Sequence, residues 1–199
     1  ELSKKVGIDN IAKMAKKFGL GQQYKFGFEN EKKGIVPSKK WKKENLRQSW
    51  FAGETLNAAI GQGYLLTTPL QLAVMTARIA TNGKKIEPTI IKKNKINKFK
   101  QMNIEDNHFQ LVKKALYKVV NEQKGTAFKS KSDLYKFSGK TGTSQVKKIT
   151  IKEREKEDFR KKEIEWKDKD HALFVGYMPS NNPKYAISVV VEHGGSGAS

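Results

Sequence analysis

The chain has 199 residues, no cysteine and a formal net charge of +20. That length supports one domain with a real core, and the lack of cysteine excludes a disulfide scaffold and a cysteine-based zinc site while leaving the compartment open. No apolar run nears the ~18 residues that crossing a bilayer takes, and residue 1 is Glu with nothing like a signal peptide after it, so the natural N-terminus is expected to lie outside these residues.

So basic a balance points first to nucleic acid. Of the 40 Lys+Arg, however, arginine stands only at Arg47, Arg78, Arg154 and Arg160, so 36 are lysine. Base readers favour the planar arginine fork. A lysine-biased solvated surface is the plainer reading, with attraction to an anionic membrane face or polymer as its use.

In chain order, 8–18 reads as a short amphipathic helix. Asp9 is its cap, Ile11, Met14, Ala15 and Phe18 recur at helical spacing, and Gly19 ends it. Residues 20–38 carry three glycines and a proline without a sustained period, which reads as irregular loop. Trp41 and Trp50 flank a basic segment with room for a helical turn, and both are expected in the core because Trp mostly buries area. Gly61-Gln62-Gly63-Tyr64 is a tight backbone passage; it is no dinucleotide fingerprint, since no strand precedes it and no third glycine follows at the right spacing. Thr68 and Pro69 then cap and open a helix that is apolar nearly all round and ends at Asn82-Gly83, so burial is expected. An extended piece is predicted over 85–92, followed by a polar Asn/Lys run. A second good helix carries Phe109, Leu111, Val112, Ala115, Leu116, Val119 and Val120 and ends near Gly125.

The last third reads as β. A strand is predicted over 140–146, another over 172–177 and a strongly β-branched one over 185–191, with a turn over 179–183. Between the first two lies 147–169, with ten positive and seven negative residues in 23, which reads as a solvated excursion, partly helical around Phe159, Ile164 and Trp166. Three consecutive strands joined by a long and a short connection predict an antiparallel meander. The fold class is therefore α+β, helices packed on an antiparallel sheet that is incomplete here.

The stretch Ser138-Gly139-Lys140-Thr141-Gly142-Thr143-Ser144 carries the chemistry. Lys140 offers a positive charge. Thr141 and Thr143 put hydroxyls on one side of a pleat of period 2. Gly142 lets a ligand backbone lie against the strand. An extended, carboxylate-bearing substrate suits such an edge, because strand addition supplies main-chain hydrogen bonds and the cation fixes the charged end.

The same stretch resembles the Lys-Thr-Gly box of the serine penicillin-recognising enzymes, whose other motifs are Ser-x-x-Lys and Ser-x-Asn or Ser-x-Asp. Further passages extend the likeness along nearly the whole chain. Trp50-Phe51-Ala52-Gly53-Glu54-Thr55 through Gly61-Gln62-Gly63, then Thr68-Pro69-Leu70-Gln71, is similar to the segment between the second and third motifs of class B penicillin-binding proteins. Lys124-Gly125-Thr126-Ala127 resembles their Gly-Thr-Ala turn. The 171–177 and 190–197 stretches resemble the penicillin-binding protein 2 branch, the elongation-specific transpeptidases.

That resemblance implies a D,D-transpeptidase that cross-links peptidoglycan through a serine acyl-enzyme. It implies that Lys140 joins the proton relay, that Thr141 and Thr143 hold the substrate or β-lactam carboxylate, that the Thr143 backbone N–H is an oxyanion donor, and that Gly142 keeps the groove open. It implies no cofactor and no metal. It also implies an inner-membrane anchor outside this chain, a periplasmic site, and a lipid-linked peptidoglycan polymerase and elongation scaffold proteins as partners.

The chain departs from the pattern in one large respect. The nucleophile and second motifs belong upstream of the matched residues and are not present there. Ser144-Gln145-Val146-Lys147 fits Ser-x-x-Lys but sits in the third-motif strand, whereas a nucleophile should open a helix so that Lys, one turn on, faces it. Ser180-Asn181-Asn182 fits Ser-x-Asn but lies in a turn after the third motif. Gly139-Lys140-Thr141 is no Walker A, because position 134 is Leu. Residues 1–199 therefore read as the C-terminal part of a transpeptidase domain carrying a charged insert at 147–169, inactive by itself. The rivals are a β-lactam sensor or β-lactamase, against which the Gly-Gln-Gly and Thr-Pro-Leu-Gln passages speak, and a basic polyanion-binding module.

Overall fold

The computed structural model describes residues 1–26, 29–91, 98–146 and 165–198. Among these residues, six α-helices run through the first two thirds: α1 (Leu2–Val6), α2 (Ile8–Lys17), α3 (Lys39–Leu46), α4 (Ala52–Ala59), α5 (Pro69–Ala80) and α6 (Asp106–Asn121). Three strands follow: β1 (Ser138–Ser144), β2 (His171–Met178) and β3 (Tyr185–Val191). They form one antiparallel sheet in the order β1-β2-β3. Lys140 sits opposite Val175, and Val175 opposite Ser188. The predicted meander is thus present, with each strand within two residues of its expected bounds. Helix α5 packs on β2 and β3, and α6 on β1. Since α5 and α6 also touch each other, they form a helical layer against the sheet.

Helix α5 starts where its cap dictates. The Thr68 side chain accepts from the Gln71 N–H at 3.2 Å, and Pro69 takes the first position, where no N–H is needed. Its burial is less apolar than expected, because Gln71, Thr76 and Arg78 are buried along with Val74 and Ala80. Each is satisfied. Gln71 Nε2 donates to the Gln22 and Lys33 carbonyls at 2.8 and 2.9 Å, and its Oε1 accepts from the Gly21 N–H at 3.2 Å. Arg78 donates to the Lys17 carbonyl at 2.8 Å and twice to that of Ile86, at 3.1 and 3.0 Å. These bonds hold the end of α2 and loop segments that have no ladder of their own, so backbone groups there find partners on a helix. Around this junction Ala12, Leu20 and Val36 pack with Ala15, Leu65 and Met75.

Several expectations need correction. The described part of the predicted extended piece, 85–91, forms no strand; its neighbour Lys84 makes a single bridge to Gln101, and Ile90 and Ile91 are exposed. Its Ile86 carbonyl serves Arg78 instead of a neighbouring strand. In α6, Phe109 and Val120 are buried, but Leu111 and Val112 are exposed because they fall off the face turned to the sheet. Residues 52–59, within the passage matched only by resemblance, form the helix α4. Most of the 147–169 insert, including Phe159 and Ile164, lies outside the described residues, as does most of the Asn/Lys run; Trp166–Asp168 is one 3-10 turn.

Trp41 and Trp50 are half-buried rather than core. They pack on Tyr64, with ring centroids at 5.3 and 6.3 Å, around the buried Lys42. The Lys42 Nζ lies 4.7 Å from the Phe51 ring centroid and bonds Glu54 at 2.5 Å. Glu54 also accepts from the Phe51 N–H at 2.8 Å and from the Tyr64 hydroxyl at 3.2 Å. Burial pushes the Glu54 carboxyl up, but the bonds from Lys42, Phe51 and Tyr64 outweigh it and hold its pKa below the ordinary value. This pair ties α3 to the start of α4.

Candidate functional site

β1 is the edge of the described sheet, so one side of its main chain is unpaired with any strand there. Ser138 and Gly139 anchor its buried end, and exposure rises towards Ser144. Period 2 puts Lys140 and Gly142 on one face and Thr141 and Thr143 on the other. The Lys140 side chain is exposed. Its Nζ folds back on its neighbour, donating to the Thr141 carbonyl at 2.8 Å and to the Thr141 hydroxyl at 3.2 Å.

Thr126 completes this corner. Its hydroxyl lies 2.8 Å from that of Thr141. The turn that presents it closes through the Ala127 N–H on the Val119 carbonyl at 3.0 Å. Gly125 is required there, since a Cβ would run into that same carbonyl. The Gly-Thr-Ala turn was legible in the sequence; its hydroxyl contact with β1 was not.

A second element reaches β1 from α4. Gly61 and Gly63 take φ of +80° and +76° and bracket Gln62 in a tight turn. The Gln62 Nε2 donates to the Thr143 carbonyl at 3.4 Å. The sequence showed a backbone passage there and missed the side chain; a polar residue between two glycines was the available signal.

The two formal motif matches remain without a catalytic setting. Ser144 ends β1 as an exposed strand residue, not a helix opener. Ser180 lies behind the strand, its hydroxyl 2.8 Å from that of the fully buried Ser138 and its N–H on the Lys136 carbonyl at 2.9 Å. Tyr177 closes the same corner; burial pushes its phenol up, partly offset by its bond with Ser138.

An antiparallel sheet with a Lys-Thr-Gly-Thr edge, a helical layer behind it and a Gly-Thr-Ala turn beside it define a penicillin-recognising transpeptidase fold. The chain belongs to the penicillin-binding protein transpeptidase domain family, which it matches over residues 1–199. It is 33% identical to the peptidoglycan D,D-transpeptidase MrdA of Acinetobacter baumannii over 99% of this chain and 30% of that protein. It superposes on penicillin-binding protein 2 of Pseudomonas aeruginosa, solved in complex with WCK 5153, with a TM-score of 0.83 and 35% identity over 99% of this chain and 42% of that one. The complex between penicillin-binding protein 2 and MreC from Helicobacter pylori gives 0.82 and 32%, covering 97% and 34%. The chain thus spans about a third of the length of the curated relatives it matches.

Proposed function

We propose that residues 1–199 are the C-terminal part of the transpeptidase domain of a D,D-transpeptidase of the penicillin-binding protein 2 kind, with the charged insert 147–169 between its first two strands. The observation that carries this reading is the open edge of β1, where Lys140, Thr141 and Thr143 stand together beside the Thr126 hydroxyl. In the whole enzyme a serine hydroxyl attacks the penultimate D-Ala carbonyl of a stem peptide, terminal D-Ala leaves, and an amine from a neighbouring stem takes the acyl group. Lys140 serves the proton relay and, with Thr141 and Thr143, binds the substrate or β-lactam carboxylate. The Thr143 N–H is one oxyanion donor, the kind of group whose loss costs ~10²-fold or more. Gly142 leaves room for the ligand backbone.

The penicillin-binding protein 2 relatives support a wider setting: a scaffold such as MreC, which partners the Helicobacter protein, a lipid-linked polymerase, and a site on the periplasmic side of the inner membrane. No helix among the described residues is long and apolar enough to cross a membrane. The test is intact mass after incubation with excess penicillin. A covalent adduct is expected on a chain extended upstream through both serine motifs and not on the 199-residue chain. A stoichiometric adduct on the shorter chain would show a nucleophile within it, with Ser144 the first residue to replace.

A further inference from the structure

The open edge of β1 is already occupied by donors that are not a strand. Carbonyls along an antiparallel strand point alternately to the partner and away from it. Thr141 and Thr143, two residues apart, therefore turn theirs the same way. Both accept from side chains: Thr141 from the Lys140 Nζ at 2.8 Å and Thr143 from the Gln62 Nε2 at 3.4 Å. An extended peptide added along this edge needs the same acceptors for its own N–H groups.

The two donors differ in kind. Lys140 belongs to the strand itself. Gln62 comes from a turn 81 residues earlier in the chain. Its backbone is held, the Gln62 N–H on the Asn57 carbonyl at 2.9 Å and the Gly61 N–H on that of Ala58 at 3.1 Å. Its side chain is half-buried and its bond is long, close to the limit at which such a contact still counts. A rigid base with a weakly held amide suits exchange rather than locking.

We propose that Gln62 is a specificity-determining residue, whose side-chain amide stands in for a ligand N–H on the Thr143 carbonyl and gives up that acceptor to ligands that present an N–H at the same place. The inference rests on the peptide-transpeptidase reading. It adds to that reading a residue from outside the Lys-Thr-Gly strand, and a reason for the Gly-Gln-Gly turn: the two glycines let the chain turn tightly enough to bring one amide to the strand edge.

The test compares two β-lactams on the extended enzyme. Benzylpenicillin carries an acylamino N–H; penicillanic acid has only hydrogens at that carbon. The readout is the ratio of their second-order acylation rate constants, which a general loss of structure would not move. Gln62→Met keeps the length and removes the competing donor, so the ratio should rise about threefold, the scale of one net hydrogen bond. Gln62→Lys supplies a stronger donor to the same carbonyl, so the ratio should fall. The expected order is Met above Gln above Lys. An unchanged ratio in both variants, or a fall with Met, overturns the proposal. Failure of the unsubstituted enzyme to take either β-lactam overturns the transpeptidase reading and this inference with it.

Discussion

Replacing Glu54 by alanine is expected to cost more than replacing Lys42 by methionine, although the two side chains form one ion pair. Lys42 is 1% exposed and Glu54 21%. Without Glu54 the ammonium is left buried, and breaking a buried pair from one side costs roughly 3–5 kcal/mol. The Trp50, Phe51 and Tyr64 rings, at 5.9, 4.7 and 5.8 Å from the Nζ, return about 1 kcal/mol of that, leaving about 2–4 kcal/mol. Without Lys42 the carboxylate keeps the Phe51 N–H, the Tyr64 hydroxyl and some water, so Lys42→Met should cost about 1 kcal/mol. The double variant should cost less than the two singles added, since the stranded charge is gone. Equilibrium urea unfolding, followed by the fluorescence of Trp41 and Trp50 beside the pair, measures all three. Equal single costs that add in the double variant would show that no buried charge is stranded. The same pair sets a pH dependence. The Glu54 pKa is lower folded than its ordinary value of 4.5, so its contribution is complete above that value and is lost as pH falls through the lower folded pKa. Glu54→Ala should therefore flatten the acid limb of the stability curve.

In the extended enzyme, Lys140→Ala should cut acylation by penicillin at least ~10²-fold, the scale of losing a proton-transfer or electrostatic group, as read from the acylation rate constant. Ser144→Ala should leave acylation nearly intact; complete loss of penicillin labelling would make Ser144 the nucleophile. Shortening the 147–169 insert to a tight turn should cost the domain less than ~1 kcal/mol, because surface loops between hairpin neighbours tolerate length changes; failure of the shortened protein to fold would reject that.

The family's expected pattern was legible because its signals are local. Thr68-Pro69 starts α5 and Asn82-Gly83 follows its end, the residues at 172–177 and 185–191 form the paired strands, and the Lys-Thr-Gly-Thr box lies on the edge strand beside them. Caps, turns and strand periods act within a few residues, so a sequence can be read for them directly. Fewer of the site's contacts were legible. Thr126 was seen as a turn and not as the partner of Thr141, and Gln62 was seen as a spacer between glycines.

Local sequence signals were enough for the order and type of the main elements and for the identity of the charged strand edge. Tertiary structure decided three other things: that Lys42 is buried in a ring of aromatics rather than solvated like most of its fellow lysines, that Gln71 and Arg78 take loop carbonyls into the base of the fold, and that Gln62 meets Thr143 across 81 residues. The physical reason is common to all three. A polar side chain's setting depends on which distant backbone groups and charges are left to satisfy once the helices and the sheet have packed, and no local period records that.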